Sequence, residues 1–362
     1  MLTHANKRAR STARMSKAGR KHRAARWARV ALVTAAPVIG SAAVASPALA
    51  HSHDVAAPSY HFRTLDNQAD PTFNQLLGIN QDGLIAGYFG SGAAGHPNKG
   101  YLLRAGHGQQ NYLNENWPES AQTQVTGLND RGVTVGFWSS TNNGAPADDN
   151  RAFVSVRGYF IDGDFPTDTP AKPPIDQLLG VNDHNVAVGF YNDVNNNTHA
   201  YTFDIRRNQF NEVTPSGITG PTAAAINNRG DIAGFGTVTA GAGAGAGKAQ
   251  TVGYLLRRDG RVTVLSVPGA SSTQALGIND NDEVVGDYMD AAGNTHGFTW
   301  TPRGGFQTPV DDPNAAPATA SPNTSSSTIN GVNDQGKLVG FYNTADGNTH
   351  GFLATPAGRH RD

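Results

Sequence analysis

The sequence predicts an all-β protein, a six-bladed β-propeller of four-stranded antiparallel blades, and three observations predict it. A unit of the form Gly/Ala-aliphatic-Asn, a short turn and then a strand with an internal Gly occurs six times. It is marked by Asn80, Asn129, Asn182, Asn227, Asn279 and Asn333, at intervals of 49, 53, 45, 52 and 54 residues. Each unit consists of short runs separated by turn residues with no helical period, and a period of this length built that way is the signature of a propeller array. The chain also begins with an unpartnered strand and ends one strand short, as a ring closed by its own termini would.

Residues 1 to 50 read as a secretory signal. Residues 1 to 29 hold ten Lys/Arg and no acid, the apolar stretch from Val30 to Val44 is interrupted by Pro37, and Ala48-Leu49-Ala50 has the small-x-small form that a signal peptidase cuts. A membrane anchor is the competing reading, but Pro37 and Pro47 spoil a spanning helix of the roughly 20 apolar residues required. Removing the segment leaves 18 basic against 29 acidic residues, a formal charge of −11 where the whole chain carries −1. Such a surface repels nucleic acid and anionic lipid, so neither is expected as a partner. There is no cysteine and hence no disulfide, and the exported domain must be held by its own core. The expectation is a secreted monomer, extracellular or periplasmic, free of the membrane once the signal is cleaved.

Residues 51 to 59 read as a flexible leader. Tyr60 to Asp66 then forms one strand without partners, similar to the strands that close later repeats, Gly305 to Asp311 and Asn208 to Val213. The last repeat stops after Gly351 to Thr355. The N-terminal strand is therefore expected to complete the final blade and leave no large open sheet edge. The propeller spans residues 60 to 355, with 356 to 362 as a tail. Within the fifth copy the strands, named a to d from the axis outward, are Thr273 to Ile278, Glu283 to Tyr288, Gly297 to Thr301 and Gly305 to Val310.

Three repeated positions have a physical role in this scheme. The a–b turn carries Gly83, Gly132, Asn185, Gly230, Asp282 and Gly336 at one place, the residues that tolerate positive φ, so a tight hairpin is expected there. A second Gly sits inside strand b in every copy, as in Gly286, where a backbone or an aromatic ring must come close. Strand c begins with a small residue and an aromatic, from Gly100-Tyr101 to Gly351-Phe352, and these rings should pack between neighbouring blades. Variation gathers in the b–c and d–a connections. A four-stranded meander places both on one face, at the mouth of the central channel, where a ligand is expected.

The fifth and sixth copies, with Gly277-Ile-Asn-Asp, Asn294-Thr-His-Gly-Phe298 and the lead-in Val267-Pro-Gly-Ala270, resemble the HAF family of probable extracellular repeats. His199-Ala-Tyr, His296-Gly-Phe and His350-Gly-Phe match the tripeptide of that family, while Lys99, Arg151 and Val252 depart from it. The resemblance covers roughly residues 60 to 355. It implies an exported repeat protein and brings no activity or catalytic residue with it.

Candidate ligand-binding residues are Lys99, Arg151, His199, His296 and His350, which precede the small-aromatic pair and could face an anion, and Trp117 and Trp138, which could stack on a ligand. A residue repeated once per blade more often bonds its own loop, and that reading is preferred. Blades stand too far apart for the three histidines to share one ion. The loops Asn192 to Asn197, Asp290 to Asn294 and Asp346 to Asn348 could hold calcium, but none ends in the late bidentate Glu of a calcium loop, and tight turns need the same residues. Cleavage after Ala50 would expose His51-Ser-His53, whose amine, amides and imidazole suit Cu(II) or Ni(II). No other cofactor is implied, for Gly241 to Lys248 lacks the Gly and Ser/Thr positions of a phosphate loop.

Two functions follow. The first is a non-enzymatic propeller whose variable face binds a glycan, another small ligand or a protein. The alternative is an extracellular polysaccharide hydrolase or lyase that uses acids occurring once only, such as Glu115, Glu119, Asp148 and Asp149. No catalytic residue is assigned.

Overall fold

A hairpin that needs a left-handed residue at its turn, repeated six times, gives six sheets. The computed structural model describes residues 59 to 105, 111 to 141, 149 to 239, 249 to 317 and 326 to 358. The expected signal segment 1 to 50, His51 and His53, the Gly/Ala loop 241 to 247, Asp148 and the last four residues lie outside the described residues.

β1 (Tyr60–Thr64) comes first. Blade 1 is β2 (Asn74–Ile79), β3 (Leu84–Phe89), β4 (Lys99–Arg104) and β5 (Tyr112–Asn114). Blade 2 is β6 (Gln122–Leu128), β7 (Val133–Ser139), β8 (Arg151–Val156) and β9 (Tyr159–Asp162). Blade 3 is β10 (Asp176–Val181), β11 (Val186–Asn192), β12 (Thr198–Asp204) and β13 (Gln209–Val213). Blade 4 is β14 (Thr219–Ile226), β15 (Ile232–Thr239), β16 (Ala249–Leu256) and β17 (Val262–Leu265). Blade 5 is β18 (Ser272–Ile278), β19 (Val284–Met289), β20 (Thr295–Thr301) and β21 (Gly305–Gln307). Blade 6 has β22 (Ser327–Val332), β23 (Leu338–Asn343) and β24 (Thr349–Pro356), and its outer strand is β1. Every sheet is antiparallel and four-stranded, and the inner strands β2, β6, β10, β14, β18 and β22 neighbour one another round the axis. Among the described residues no helix is long and apolar enough to cross a membrane.

The N-terminal strand closes the ring as the strand inventory requires. β1 runs antiparallel to β24 from Tyr60 opposite Pro356 to Thr64 opposite Phe352. Beyond the strand, Leu65 N donates to Gly351 O at 2.8 Å. Asp66 accepts from Gly351 N at 3.1 Å and lies 2.7 Å from His350 Nδ1. Asp311 serves Gly297 and His296 in the same way in blade 5, at 3.0 and 2.7 Å. The first strand of the chain thus supplies to blade 6 what blade 5 supplies to itself.

The repeated residues are explained by close packing. Asn185 and Asp282, the non-Gly residues of the a–b turn, have φ of 60° and 65°. A Cβ on Gly286 would lie 1.8 Å from Gln274 O and 3.0 Å from the Phe298 ring, so the strand-b glycine is enclosed by backbone on one side and an aromatic on the other. Gly286 and Phe298 are direct cross-strand partners, as are Gly136 and Phe153 and Gly340 and Phe352. The six strand-c aromatics, Tyr101, Phe153, Tyr201, Tyr254, Phe298 and Phe352, are completely buried. The core clusters join adjacent blades. Phe352 packs with Val285 of blade 5, Tyr254 with Val188 of blade 3 and Phe153 with Ala86 of blade 1. Each such ring contributes roughly 2 to 3 kcal/mol of burial to the seam between blades.

The six marker asparagines form a closed ring of their own. Asn80 Nδ2 donates to Asn129 O at 3.4 Å, Asn129 to Asn182 at 2.8 Å, Asn182 to Asn227 at 3.1 Å, Asn227 to Asn279 at 3.2 Å, Asn279 to Asn333 at 3.0 Å and Asn333 to Asn80 at 3.1 Å. The side-chain oxygen of each holds its own turn, as where Asn182 Oδ1 accepts from His184 N and Val186 N at 3.0 and 3.1 Å. The next residue forms a second ring. Gln81, Asp130, Asp183, Asn228, Asp280 and Asp334 each donate a main-chain N–H to the side-chain oxygen of the following blade, at 2.8 to 2.9 Å.

Candidate functional site

The two faces of the ring differ in kind. The a–b end of the axis carries the two polar rings, below which Ile79, Leu128, Val181, Ile226, Ile278 and Val332 line two small cavities of about 90 and 80 Å³. Both are well below the roughly 300 Å³ of an ordinary ligand pocket. The opposite face, formed by the b–c and d–a connections, holds every candidate binding residue named from the sequence that falls among the described residues.

On that face the strand-c Arg and His side chains are clamped by carboxylates of their own blade. Arg151 reaches Asp149 at 3.1 Å and Asp164 at 3.3 Å. His199 lies 3.4 Å from Asp193 and 3.9 Å from Glu212, and His296 lies 2.7 Å from Asp311 and 3.4 Å from Asp290. His350 is held by Asp66, whereas Lys99 Nζ donates to Ala121 O at 3.1 Å. Arg151, His199, His296 and His350 thus bond carboxylates of their own blade, whereas Lys99 bonds the segment that leads into blade 2. These contacts do not remove the side chains from solvent, since Arg151 and His199 remain 39 and 35 % exposed.

A ring from strand b lies against most of these side chains. Tyr191 stacks on His199 at 5.0 Å and 13°, and Tyr288 and Tyr342 lie 5.3 and 5.4 Å from His296 and His350. In blade 2 the equivalent ring is Trp138, directly opposite Arg151 in the sheet. It stacks on Trp117 at 5.0 Å and 6°, and Trp117 also meets Phe153 and Phe160. The two tryptophans thus form one half-buried pair instead of two separate platforms. Blades 2, 3, 5 and 6 share a cluster of an aromatic ring, an Arg or His and a carboxylate.

The loops considered for calcium are closed by their own donors. Asp193 accepts from Asn195 N, Asn197 N and Asn197 Nδ2, and Asp290 does the same with Ala292 and Asn294. The Asn197 side chain and backbone hold the Asp193 carboxyl down at about 2. Among the described residues no group of three or more His, Asp or Glu is arranged to hold a metal ion. Of the acids that occur once only, Glu115 accepts from Thr134 Oγ1, and Asp149 is buried among Ser139, Ser140 and Arg151.

Several carboxylates on this face escaped the sequence reading. Asp66, Asp164 and Asp311 close strand d in their blades, and the matching ends Leu65-Asp66 and Val310-Asp311 were the signal for two of them. Burial, aided by the charge of Asp162, pushes Asp164 up to about 6. Asp176 is raised well above the ordinary carboxyl range by burial and by Asp164, while Tyr201 Oη donates to it at 2.6 Å. Asp287 follows the strand-b glycine where the other blades have Tyr88, Phe137, Phe190, Phe235 and Phe341. Its one side-chain partner is Thr328 Oγ1 of blade 6 at 3.1 Å, and burial raises it to about 7. Aligning the copies on that glycine reveals it as the one acid in an aromatic column.

No family model matches the chain, and no curated protein matches it. Solved structures resemble it as propellers. TolB from Acinetobacter baumannii matches with 14 % identity over 80 % of this chain and 66 % of its own, at a TM-score of 0.42. An ulvan lyase of polysaccharide lyase family PL25 matches with 12 % identity over 78 % of both chains, at a TM-score of 0.40. The SapL1 lectin, in complex with alpha methyl fucoside, matches with 10 % identity over 75 % of this chain and 89 % of its own, at a TM-score of 0.41. The chain is similar to these proteins in fold alone.

Proposed function

We propose that the protein is an exported propeller of the HAF repeat type that binds a glycan on its loop face and catalyses no reaction. The observation that supports this reading is repetition. Trp138 with Arg151 and Asp164, Tyr191 with His199 and Glu212, Tyr288 with His296 and Asp311, and Tyr342 with His350 and Asp66 are four versions of one cluster. Tyr191 and Tyr342 are buried, but the half-buried Trp138 and Tyr288 offer part of an apolar ring to the C–H side of a sugar, and in each cluster the Arg or His with its carboxylate offers a donor and an acceptor to hydroxyls. An enzyme needs one such constellation, whereas a binder gains avidity from several, because linked weak sites act together on one polymer. The working form is a secreted monomer, with no nucleic acid or membrane partner.

The test is a panel of neutral and acidic glycans presented to the full chain, with hits measured again on His296→Ala, His350→Ala and the double variant. Stepwise loss of affinity is expected. Unchanged binding by the double variant, or no glycan hit, would sink the proposal.

A second reading rests on Asp164. A carboxyl raised to about 6 beside a half-exposed Arg151 is a competent proton donor near neutral pH, as a polysaccharide hydrolase or lyase would need. Turnover of any polysaccharide that disappears in Asp164→Asn would favour it over simple binding.

A further inference from the structure

The charges of the propeller are divided between its faces. Of the fifteen Lys and Arg among the described residues, eleven sit in or beside the a–b and c–d turns, three (Lys99, Arg151 and Lys172) on the loop face, and Arg63 in β1. Within the turn face there is a second division. The hub around the axis is acidic, with Asp130, Asp183, Asp280 and Asp334 in the inner hydrogen-bonded ring. Eight of the eleven cations occupy the rim, at the c–d turns, and Arg131, Arg229 and Lys337 sit at the a–b turns.

Some of the turn-face cations are already neutralised. Arg229 and Arg257 both bind Asp231 and Asp282, Arg207 binds Asp204 at 2.7 Å, and Arg261 binds Asp259 at 2.7 Å. Others are not. Arg104, Arg157, Arg206, Arg258 and Arg303 belong to the c–d turns of blades 1 to 5, are exposed, and carry no side-chain salt bridge among the described residues, although Arg258 N donates to Asp231 Oδ1 at 3.0 Å. Five consecutive blades therefore each present, in or beside the c–d turn, one guanidinium without a salt bridge among the described residues.

Arg157 adds an independent observation. Its φ is 53°, in a two-residue turn completed by Gly158 at 83°. Asn, Asp or Gly is the ordinary occupant of that position, since a long side chain there carries backbone strain. The neighbouring Tyr159 is 79 % exposed, so a cation and a bare aromatic ring lie side by side at the rim.

We propose that this arc is a docking surface for a linear acidic polysaccharide bearing carboxylate or sulfate groups. The five groups of the arc are all arginine, whose planar fork pairs with such groups through two parallel hydrogen bonds, and Tyr159 supplies a face for a sugar ring. The arc is curved around an acidic hub, which suits a thin, flexible chain with charges spaced along it. A flat anionic membrane would meet the hub carboxylates, and the acidic balance of the remainder of the molecule opposes a polyanion as dense as nucleic acid. The surface is separate from the loop face proposed to bind glycan.

The experiment uses the full chain, so that the basic residues 1 to 50 are common to every variant. Binding of polygalacturonate, dextran sulfate, poly(U) and vesicles containing phosphatidylglycerol is measured across a salt series for the wild type and for a rim variant with Arg157→Asn, Arg206→Gln, Arg258→Gln and Arg303→Gln. Asn accepts the left-handed conformation at 157, and melting curves check the fold. We expect the rim variant to lose at least about tenfold in affinity for polygalacturonate or dextran sulfate, with a shallower salt dependence as released counterions decrease. A control with Arg207→Gln and Arg261→Gln, which removes paired arginines, should lose less. Equal binding by rim variant and wild type overturns the proposal, as does tighter binding of poly(U) or vesicles than of either polysaccharide. Binding of a neutral glycan at the loop face should be unchanged in the rim variant, which separates failure here from failure of the loop-face reading.

Discussion

At the a–b end of the axis the six blades do the same thing, and at the loop end they differ. The turn end repeats one asparagine, one bond to the next blade and one left-handed residue, with Gln81 and Asn228 the only substitutes in a ring otherwise made of aspartate. The loop end places a Trp pair in blade 2, stacked Tyr and His in blade 3, and a carboxylate in place of an aromatic in blade 5. Uniformity follows from symmetry. A bond that must close a ring has to be made by every member, and a loop that closes nothing is free to vary. Breaking the uniform end should therefore damage the fold, and altering the divergent end should change binding or titration with less damage.

The largest effect is expected from the closure itself. Deleting Tyr60 to Asp66 removes the outer strand of blade 6, the Phe62 contact with Phe352 at 5.3 Å and both bonds of Asp66. The melting temperature should fall by more than about 10 °C, from a loss on the order of 5 kcal/mol. Calorimetry that finds the truncated chain melting like the parent would show that the ring does not depend on its N-terminal strand.

The asparagine ring comes next. Asn182→Ala removes one donor to blade 4 and two acceptances within its own turn, all in a buried setting. At about 1 kcal/mol for each bond, the cost should be about 3 kcal/mol in chemical denaturation. His199→Ala, at the loop end of the same blade, should cost less than about 1 kcal/mol, because its carboxylate contacts are exposed. Equal costs for the two variants would erase the distinction between the ends.

The sequence made the scaffold legible because scaffold demands are local and repeated. Positive φ at Asn185 and Asp282, the enclosed glycine of strand b and the buried strand-c aromatic each follow from what one residue type can do at one place. The role of the marker asparagines was not legible, since each donates to a carbonyl one whole repeat away. The clamps on His296 and His350 were half legible. Their partners Asp311 and Asp66 stand at matching strand ends, but Asp66 is 284 residues from His350 and only ring closure brings them together. The separation of cations onto one face could not be read before the turns and loops had been assigned to opposite ends.

The finest test lies at Asp287, a half-buried carboxyl of β19 at a place that is aromatic in the other blades. The five other blades fill this place with an aromatic ring, and here a carboxyl meets Thr328 of the next blade and is raised to about 7 by burial. In the unfolded chain it titrates near 3.9. Between roughly pH 4 and pH 7 the unfolded state therefore loses this proton before the folded state does, and stability falls as pH rises, levelling off above about 7. The fall is at most about 4 kcal/mol, at about 1.4 kcal/mol per unit of displacement. Asp287→Asn keeps the shape and removes the charge, so its stability should be flatter across this range and should exceed that of the parent at pH 8. Asp287→Phe restores the residue type of the other blades and should be flatter in the same way. Denaturation of the parent and both variants between pH 4 and pH 8 decides the matter, and parallel profiles would mean that the carboxyl is solvated and ionised like any surface acid.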